Sequence, residues 1–263
     1  MTVTLAVAGK GGTGKTTLAA LTIRYLLETG RTPVLAIDGD PSANLNLALG
    51  MTLGKTVGQI REGTDIQAAA NKFRAGVSKP DWFDLQVNEC VVKGEGVDLL
   101  AMGRPEGPGC YCAANSMLRQ CIDRLGSSYA YVVIDNEAGM EHISRQTARS
   151  IDHLFIVTDP TQRGLAAAEH IVQLTVELGT RIGNKYVVVN NVVAAGVAGE
   201  LPEAFTARIA ALGVSAPGLA LLGTLPRDPL IQEYDLVGRP LVELDESSLI
   251  YPAVKALLSK VLG

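Results

Sequence analysis

The chain has 263 residues, 47% of them hydrophobic and 19% charged, which is ample material for one large α/β core and little for disorder, so a single domain over 1–263 is expected. A formal net charge of −4 with no lysine or arginine run excludes broad DNA binding through the overall field, so nucleic acid is not an expected partner. No apolar stretch approaches a membrane span and the N-terminus does not read as a signal segment, so no membrane is expected and the expected location is the cytoplasm.

The first apolar run, Val3 to Ala8, predicts a strand, and the segment Gly9-Lys10-Gly11-Gly12-Thr13-Gly14-Lys15-Thr16-Thr17 follows it directly. An amphipathic stretch, Leu18 to Glu28, predicts a helix after it. Strand, glycine loop and helix are the context of a phosphate-binding loop. The glycines let successive N–H groups converge on the phosphates, Lys15 adds a cation at the β/γ-phosphates, and the Thr16 hydroxyl is a ligand for Mg²⁺. Lys10 is a second lysine that cannot easily reach the phosphates Lys15 already holds, so its use is expected across an interface.

Thr32 to Ile37 predicts the second strand, ending in Asp38-Gly39-Asp40-Pro41, two carboxylates at the carboxyl end of a strand where an open α/β sheet binds ligands. The plainer alternative is that these acids cap a helix beginning near Ser42. Thr52 to Glu95 breaks the rhythm with scattered glycines, Pro80 and Trp82; an edge hairpin is expected around Leu85 to Val92. A third strand, Val97 to Met102, precedes a glycine- and proline-rich approach to Cys110-Tyr111-Cys112, and Ala114 to Arg124 predicts a helix that Asn115 or Ser116 would cap. Tyr131 to Ile134 predicts a strand that delivers Asp135 to Mg²⁺, with Gly139 giving the following loop a backbone able to swing.

Further on, Ile143 to Ser150 predicts a helix, Leu154 to Val157 a strand, Gly164 to Leu178 a helix and Tyr186 to Val189 a strand. Asn190-Asn191-Val192 follows without the aspartate that reads guanine in an Asn-Lys-x-Asp pattern, which favours ATP. Ala194 to Gly199 is a small-residue connection, Glu203 to Leu212 a helix, Leu219 to Leu222 a strand and Ser247 to Leu262 a final helix. The fold class is α/β, a mainly parallel central sheet with helices on both faces.

On the phosphate loop and its second lysine, the chain resembles the deviant Walker A P-loop ATPases. These include Min-type and Par-type positioning proteins, the nitrogenase iron protein and metal-insertion ATPases. The resemblance implies a dimer that sandwiches two ATP molecules, with Lys10 contacting the nucleotide of the opposite subunit. It implies that Asp40 orients the attacking water, that Asp38 supports the metal shell, that Asn190 contacts adenine, and that Pro226-Arg227-Asp228 closes over the base. Valine often stands where this chain has Thr13, a departure not expected to disturb phosphate binding.

The four cysteines, Cys90, Cys110, Cys112 and Cys121, are too few for a disulfide framework. Cys90 and Cys121 read as core residues, whereas Cys110 and Cys112 give two thiolates of the four that tetrahedral zinc or square-planar nickel commonly takes. A symmetric dimer supplies the other two. The pair with Asn115, Asp135, Ala138-Gly139 and Glu141-His142 is similar to the CooC-type nickel-insertion ATPases of carbon monoxide dehydrogenase maturation. That implies an ATPase carrying Ni²⁺, or Zn²⁺, on Cys110 and Cys112 of both subunits to carbon monoxide dehydrogenase; Asn136-Glu137 leaves the acetyl-CoA synthase complex as an alternative client. His142 reads as structural or switch-supporting, and His153 and His170 as ordinary.

Two other classes share the phosphate loop. A Min- or Par-type positioning ATPase needs a membrane or DNA surface, yet the final helix carries only Lys255 and Lys260 and has Pro252 in its first turns, the look of a packing helix. Four thiolates at a two-fold axis also suit a [4Fe–4S] scaffold, while the reductase type is disfavoured because Asn136 to Met140 holds no cysteine.

Overall fold

The computed structural model describes residues 1–60, 79–103, 120, 122–137, 150–177, 181–193 and 201–263. In chain order β1 (Val3–Gly9) leads into α1 (Lys15–Glu28), β2 (Val34–Asp38) and a short α2 (Leu45–Leu49). Then come α3 (Lys79–Cys90), β3 (Val97–Ala101), β4 (Tyr131–Asp135), β5 (Ser150–Thr158) and α4 (Gln162–Glu177). The chain closes with β6 (Arg181–Val192), α5 (Glu203–Ser215), β7 (Leu219–Pro226), α6 (Pro229–Val237) and α7 (Ile250–Leu262).

The strands form one sheet in the order β3-β2-β4-β1-β5-β6-β7, and every paired neighbour runs parallel. Such a sheet must be covered on both faces, and the period-two alternation of the strands divides the side chains accordingly. Leu5, Val7, Val34, Ala36 and Val133 face α1 and α7, while Ala6, Ala8, Leu35, Ile37 and Ile134 face α3 and α4. These side chains are almost fully buried, and each large one contributes roughly 1.5–3 kcal/mol of burial. The strand order turns back around β1, so the carboxyl ends of β1, β2 and β4 converge at one edge, the place where such sheets bind ligands.

All seven expected strands are present. The expected hairpin at Leu85 to Val92 is not: most of it lies in α3, because Val87 and Cys90, three residues apart, are the positions that enter the core. The alternation Leu85-x-Val87 imitates a strand, but Leu85 points outward at 59% exposure. Only Val92 pairs, exchanging both backbone bonds with Leu99 at 2.8 Å. Of the helix expected over Ile143 to Ser150, 143–149 lie outside the described residues and Ser150 begins β5. Of Ala114 to Arg124, residues 120 and 122–124 are described, and they are helical.

The final helix begins at Ile250, three residues later than expected, since Ser247 N–H donates to Asp245 Oδ1 in a turn first. Its apolar face, including Val254, Leu257 and Leu258, is buried against the sheet as a packing helix requires. Among the described residues no helix is long and apolar enough to cross a membrane. Cys90 is a core residue as expected, and burial pushes its thiol up to about 11. His153 stacks on Tyr186 and His170 lies exposed on α4, neither near the site.

Candidate functional site

The helix α1 starts at Lys15, three residues before its apolar periodicity begins. Gly14 caps it in the left-handed region (φ 92°) and, among the described residues, no side chain caps its first N–H groups, which leaves them for an anion. A Cβ at Gly14 would collide with the Asn190 amide, so glycine is required there by space as well as by conformation.

Within the loop the Lys10 carbonyl gathers three donors: Thr13 N–H at 3.3 Å, Thr13 Oγ1 at 2.8 Å and Lys15 Nζ at 3.3 Å. Lys15 is buried, while the Lys10 side chain is exposed at the surface. Thr13, which sequence reasoning treated as incidental, is thus an internal tie of the loop; the cue was the hydroxyl itself.

Thr16 Oγ1 donates to Asp135 Oδ2 at 2.6 Å, so the loop hydroxyl and the β4 carboxylate meet as a Mg²⁺ site requires. Asp135 is 1% exposed and its Oδ1 has no hydrogen-bond partner among the described residues. Burial, reinforced by the like charge of Asp38 and opposed by the Thr16 bond and Lys15, pushes its carboxyl up to about 7. An orphaned carboxylate oxygen beside a hydroxyl calls for a cation, and the donor set fits Mg²⁺.

Asp38 is buried, its Oδ2 accepting Leu45 N–H at 2.8 Å and its Oδ1 accepting Asp40 N–H at 3.1 Å. It thereby holds the 39–44 loop onto the start of α2, which begins at Leu45 and not near Ser42. Burial raises its carboxyl despite those bonds. Asp40 is half-buried, accepts Ser42 N–H through Oδ1 at 2.8 Å and lies on the rim of the acid cluster. Gly39 N–H donates to Asp135 O at 2.8 Å, joining the β2 and β4 loops. Asn136 Nδ2 donates to the β1 carbonyl of Val7 at 2.8 Å, which pins the start of the second loop.

At the other end, β6 bulges at Asn190-Asn191 opposite β7, with Asn191 at φ 58°. The bulge aims Asn190 at the phosphate loop, where its Nδ2 donates to Thr13 O at 2.8 Å. Because that carbonyl only accepts, the amide orientation is determined, leaving Asn190 Oδ1 buried and without a partner among the described residues. A lone acceptor fits the amino group of adenine and opposes the O6 of guanine.

Gly12, Gly14, Thr16, Asn190 and the Pro226-Arg227-Asp228 loop line one cavity of about 820 Å³. Leu47 on α2, Asp235 on α6 and Arg239 just beyond α6 also line it, none of them legible from motif spacing. Asp228 does not present its carboxylate to a ligand. Oδ1 accepts Leu230 N–H (3.0 Å), and Oδ2 accepts Ser248 Oγ (2.8 Å), Leu249 N–H (2.7 Å) and Ile250 N–H (3.0 Å). One side chain therefore caps both α6 and α7. Burial favours its neutral form, but the bonds from Ile250, Ser248, Leu230 and Leu249 outweigh it and hold the carboxyl below the ordinary range.

Cys110, Cys112, Cys121, Asn115, Gly139 and His142 lie outside the described residues. Among the described residues no group of three or more His, Cys, Asp or Glu side chains is arranged to hold a metal ion.

The sequence profile of the CobQ/CobB/MinD/ParA nucleotide binding domain matches residues 4–241. An uncharacterized ATP-binding protein of Methanocaldococcus jannaschii is 40% identical over 259 residues, covering 98% of this chain and 98% of that protein. The carbon monoxide dehydrogenase accessory protein CooC of Rhodospirillum rubrum is 31% identical over 275 residues, covering 98% of this chain and 97% of that protein. Among solved structures, the septum site-determining protein MinD of Pyrococcus horikoshii, complexed with Mg-ADP, superposes with a TM-score of 0.68 at 22% identity. It covers 100% of this chain and 96% of its own, a likeness of fold.

Proposed function

The chain belongs to the CobQ/CobB/MinD/ParA nucleotide-binding family of ATPases, and from that premise we propose that it is a nickel metallochaperone whose two subunits close around ATP. The observation that carries the finer reading is the end-to-end similarity to a carbon monoxide dehydrogenase accessory protein, in a chain that also has the Cys110-x-Cys112 pair. The client is carbon monoxide dehydrogenase or the acetyl-CoA synthase complex.

In this reading the phosphates lie on the Gly9–Thr17 loop and the open N-terminus of α1, with Lys15 at the β/γ-phosphates. Thr16 and Asp135 hold Mg²⁺, which when bound neutralises charge on the phosphates. Asp40, half-exposed at the rim, orients the attacking water, and Asp38 keeps its loop in place. Asn190 accepts from adenine under the Pro226-Arg227-Asp228 loop, which Asp228 supports through the two helix caps. Lys10, exposed on the loop, reaches the nucleotide of the partner.

Cys110 and Cys112 of both subunits receive Ni²⁺ as cargo, since a thiolate pair supplies half of a four-ligand site. Zn²⁺ suits the same ligands. Hydrolysis then parts the subunits and halves the ligand set, releasing the metal to the client.

The test is a nickel titration of the reduced protein, wild type and Cys110→Ala/Cys112→Ala, with mass in solution measured with and without a non-hydrolysable ATP analogue. The expected result is one nickel per dimer, lost in the double variant while ATP hydrolysis persists. Nickel binding that survives the double variant, or none in the wild type, refutes the metallochaperone reading.

A further inference from the structure

The short helix α2 carries one apolar residue that its core packing does not explain. Leu45, Ala48 and Leu49 stand at the i, i+3 and i+4 positions of one helical face and are buried in the same cluster as the apolar side of α1. Leu47 falls off that face and is 66% exposed. A lone leucine on a surface is ordinary. Of the large apolar side chains exposed among the described residues, however, Leu47 is the one on the wall of the cavity shared by Gly14 of the phosphate loop, Asn190 and the Pro226-Arg227-Asp228 loop.

Both ends of α2 are fixed. At its start Leu45 N–H donates to Asp38 Oδ2 at 2.8 Å, and Asp38 Oδ1 accepts Asp40 N–H at 3.1 Å. At its end Gly50 has a left-handed φ of 69° and abuts Pro240, whose Cγ would stand 2.6 Å from a Cβ there. The neighbours of Pro240, Arg239 and Leu241, line the same cavity. Between Asp40 and α2 the chain turns through Ala43, whose N–H donates to Asp40 O at 3.0 Å and whose φ of 47° is left-handed. That conformation is disfavoured for alanine and persists only where the surroundings hold it.

We propose that Leu47 is a positioning residue: the nucleoside part of the nucleotide packs on its side chain, and α2, held between that nucleoside and Asp38, sets the turn that carries Asp40. An occupied base lobe thereby reaches the residue that orients the attacking water. The proposal rests on the placement of the nucleoside in this cavity and on the reading of Asp40. A base and a ribose offer apolar area that phosphates lack, so a leucine engages the nucleoside and not the phosphate chain. It presents no donor or acceptor, so it binds adenine and guanine alike and leaves base selection to the Asn190 amide.

The experiment compares full-length wild type, Leu47→Ala and Leu47→Met, with Asn190→Ala and Asp40→Asn as controls. It measures affinity for ADP, GDP and pyrophosphate with Mg²⁺, melting temperature without nucleotide, and the rate of hydrolysis at saturating ATP. Leu47→Ala is expected to bind ADP and GDP about tenfold more weakly, the worth of roughly two buried methylene groups. Its affinity for pyrophosphate should stay within about twofold, because the phosphate loop is untouched. Its melting temperature should stay within about 2 °C, because the side chain is exposed in the empty protein. Its saturated rate should fall about fivefold, the cost of a shift of roughly a third of an ångström at about a hundredfold per ångström. Leu47→Met, apolar and of similar volume, should recover both affinity and rate.

A Leu47→Ala protein with wild-type ADP affinity overturns the proposal, as does one whose pyrophosphate affinity falls in step with ADP. A saturated rate that stays at the wild-type value overturns the link from α2 to Asp40. If Asn190→Ala leaves ADP binding and base preference intact, or Asp40→Asn leaves hydrolysis intact, the reading of the site falls first and this proposal with it. Where both controls lose function, a normal Leu47→Ala protein refutes the proposal alone.

Discussion

Removing the Asp228 carboxylate tests whether this residue is a ligand of the nucleotide or a strut behind it. Its two oxygens accept four hydrogen bonds, one from the first turn of α6 and three from the start of α7. In Asp228→Ala two helix caps are lost at about 1 kcal/mol each. A buried N–H of Ile250 and the hydroxyl of Ser248 are also left without this acceptor, which adds about 1–2 kcal/mol. The expected loss is about 3–4 kcal/mol, or roughly 6–8 °C in melting temperature for a chain of this size. Asp228→Asn keeps one acceptor oxygen and should lose about half as much.

Thermal unfolding without nucleotide, at several pH values, reads this directly. The folded carboxyl lies below its unfolded value, so its contribution is fully present above the unfolded pKa and fades as pH falls through the folded one. The gap between wild type and Asp228→Ala should therefore be constant near neutrality and close in acid. An alanine variant that melts within a degree or two of wild type while losing ADP binding refutes the reasoning: the carboxylate would then be a direct ligand.

Asp135 carries the opposite sign. Its carboxyl is raised to about 7 in the fold, so the nucleotide-free protein should lose stability as pH rises from the unfolded carboxylate range to about 7 and level off above it. Asp135→Asn should flatten that slope in melting curves while abolishing Mg²⁺-dependent ATP hydrolysis; an unchanged slope would count against the buried acid as its source. Asn190→Ala removes the amide proposed to read the base from the cavity wall, and the preference for ATP over GTP in kcat/KM should fall at least tenfold. A preference that survives the substitution would place base selection elsewhere in the cavity.

Much of the site was legible because it depends on short-range backbone rules. Glycines between an apolar strand and a helix announce a phosphate loop wherever the chain goes, and acids at strand ends announce a polar edge; Thr16 and Asp135 meet there, while Asp38 gives both oxygens to backbone N–H groups. The misreadings arose where a local pattern had two solutions. Leu85-x-Val87 fits a strand or a helix equally well, and only the core that receives Val87 and Cys90 decides between them. The helix α6 was missed because it begins directly after Asp228, its cap, a residue that motif reading assigned to the base.

By itself, then, the sequence determined the parallel α/β class, the seven strands, the phosphate loop and the identity of the acids, since each follows from the periodicity or conformational freedom of neighbouring residues. Only the tertiary structure decided the strand order, the bulge that swings Asn190 onto Thr13, and the engagement of Asp228 by α7. Those contacts join residues 177 apart in one case and 22 in the other. Hydrogen bonds act over about 3 Å in space. Distance along the chain carries no record of them.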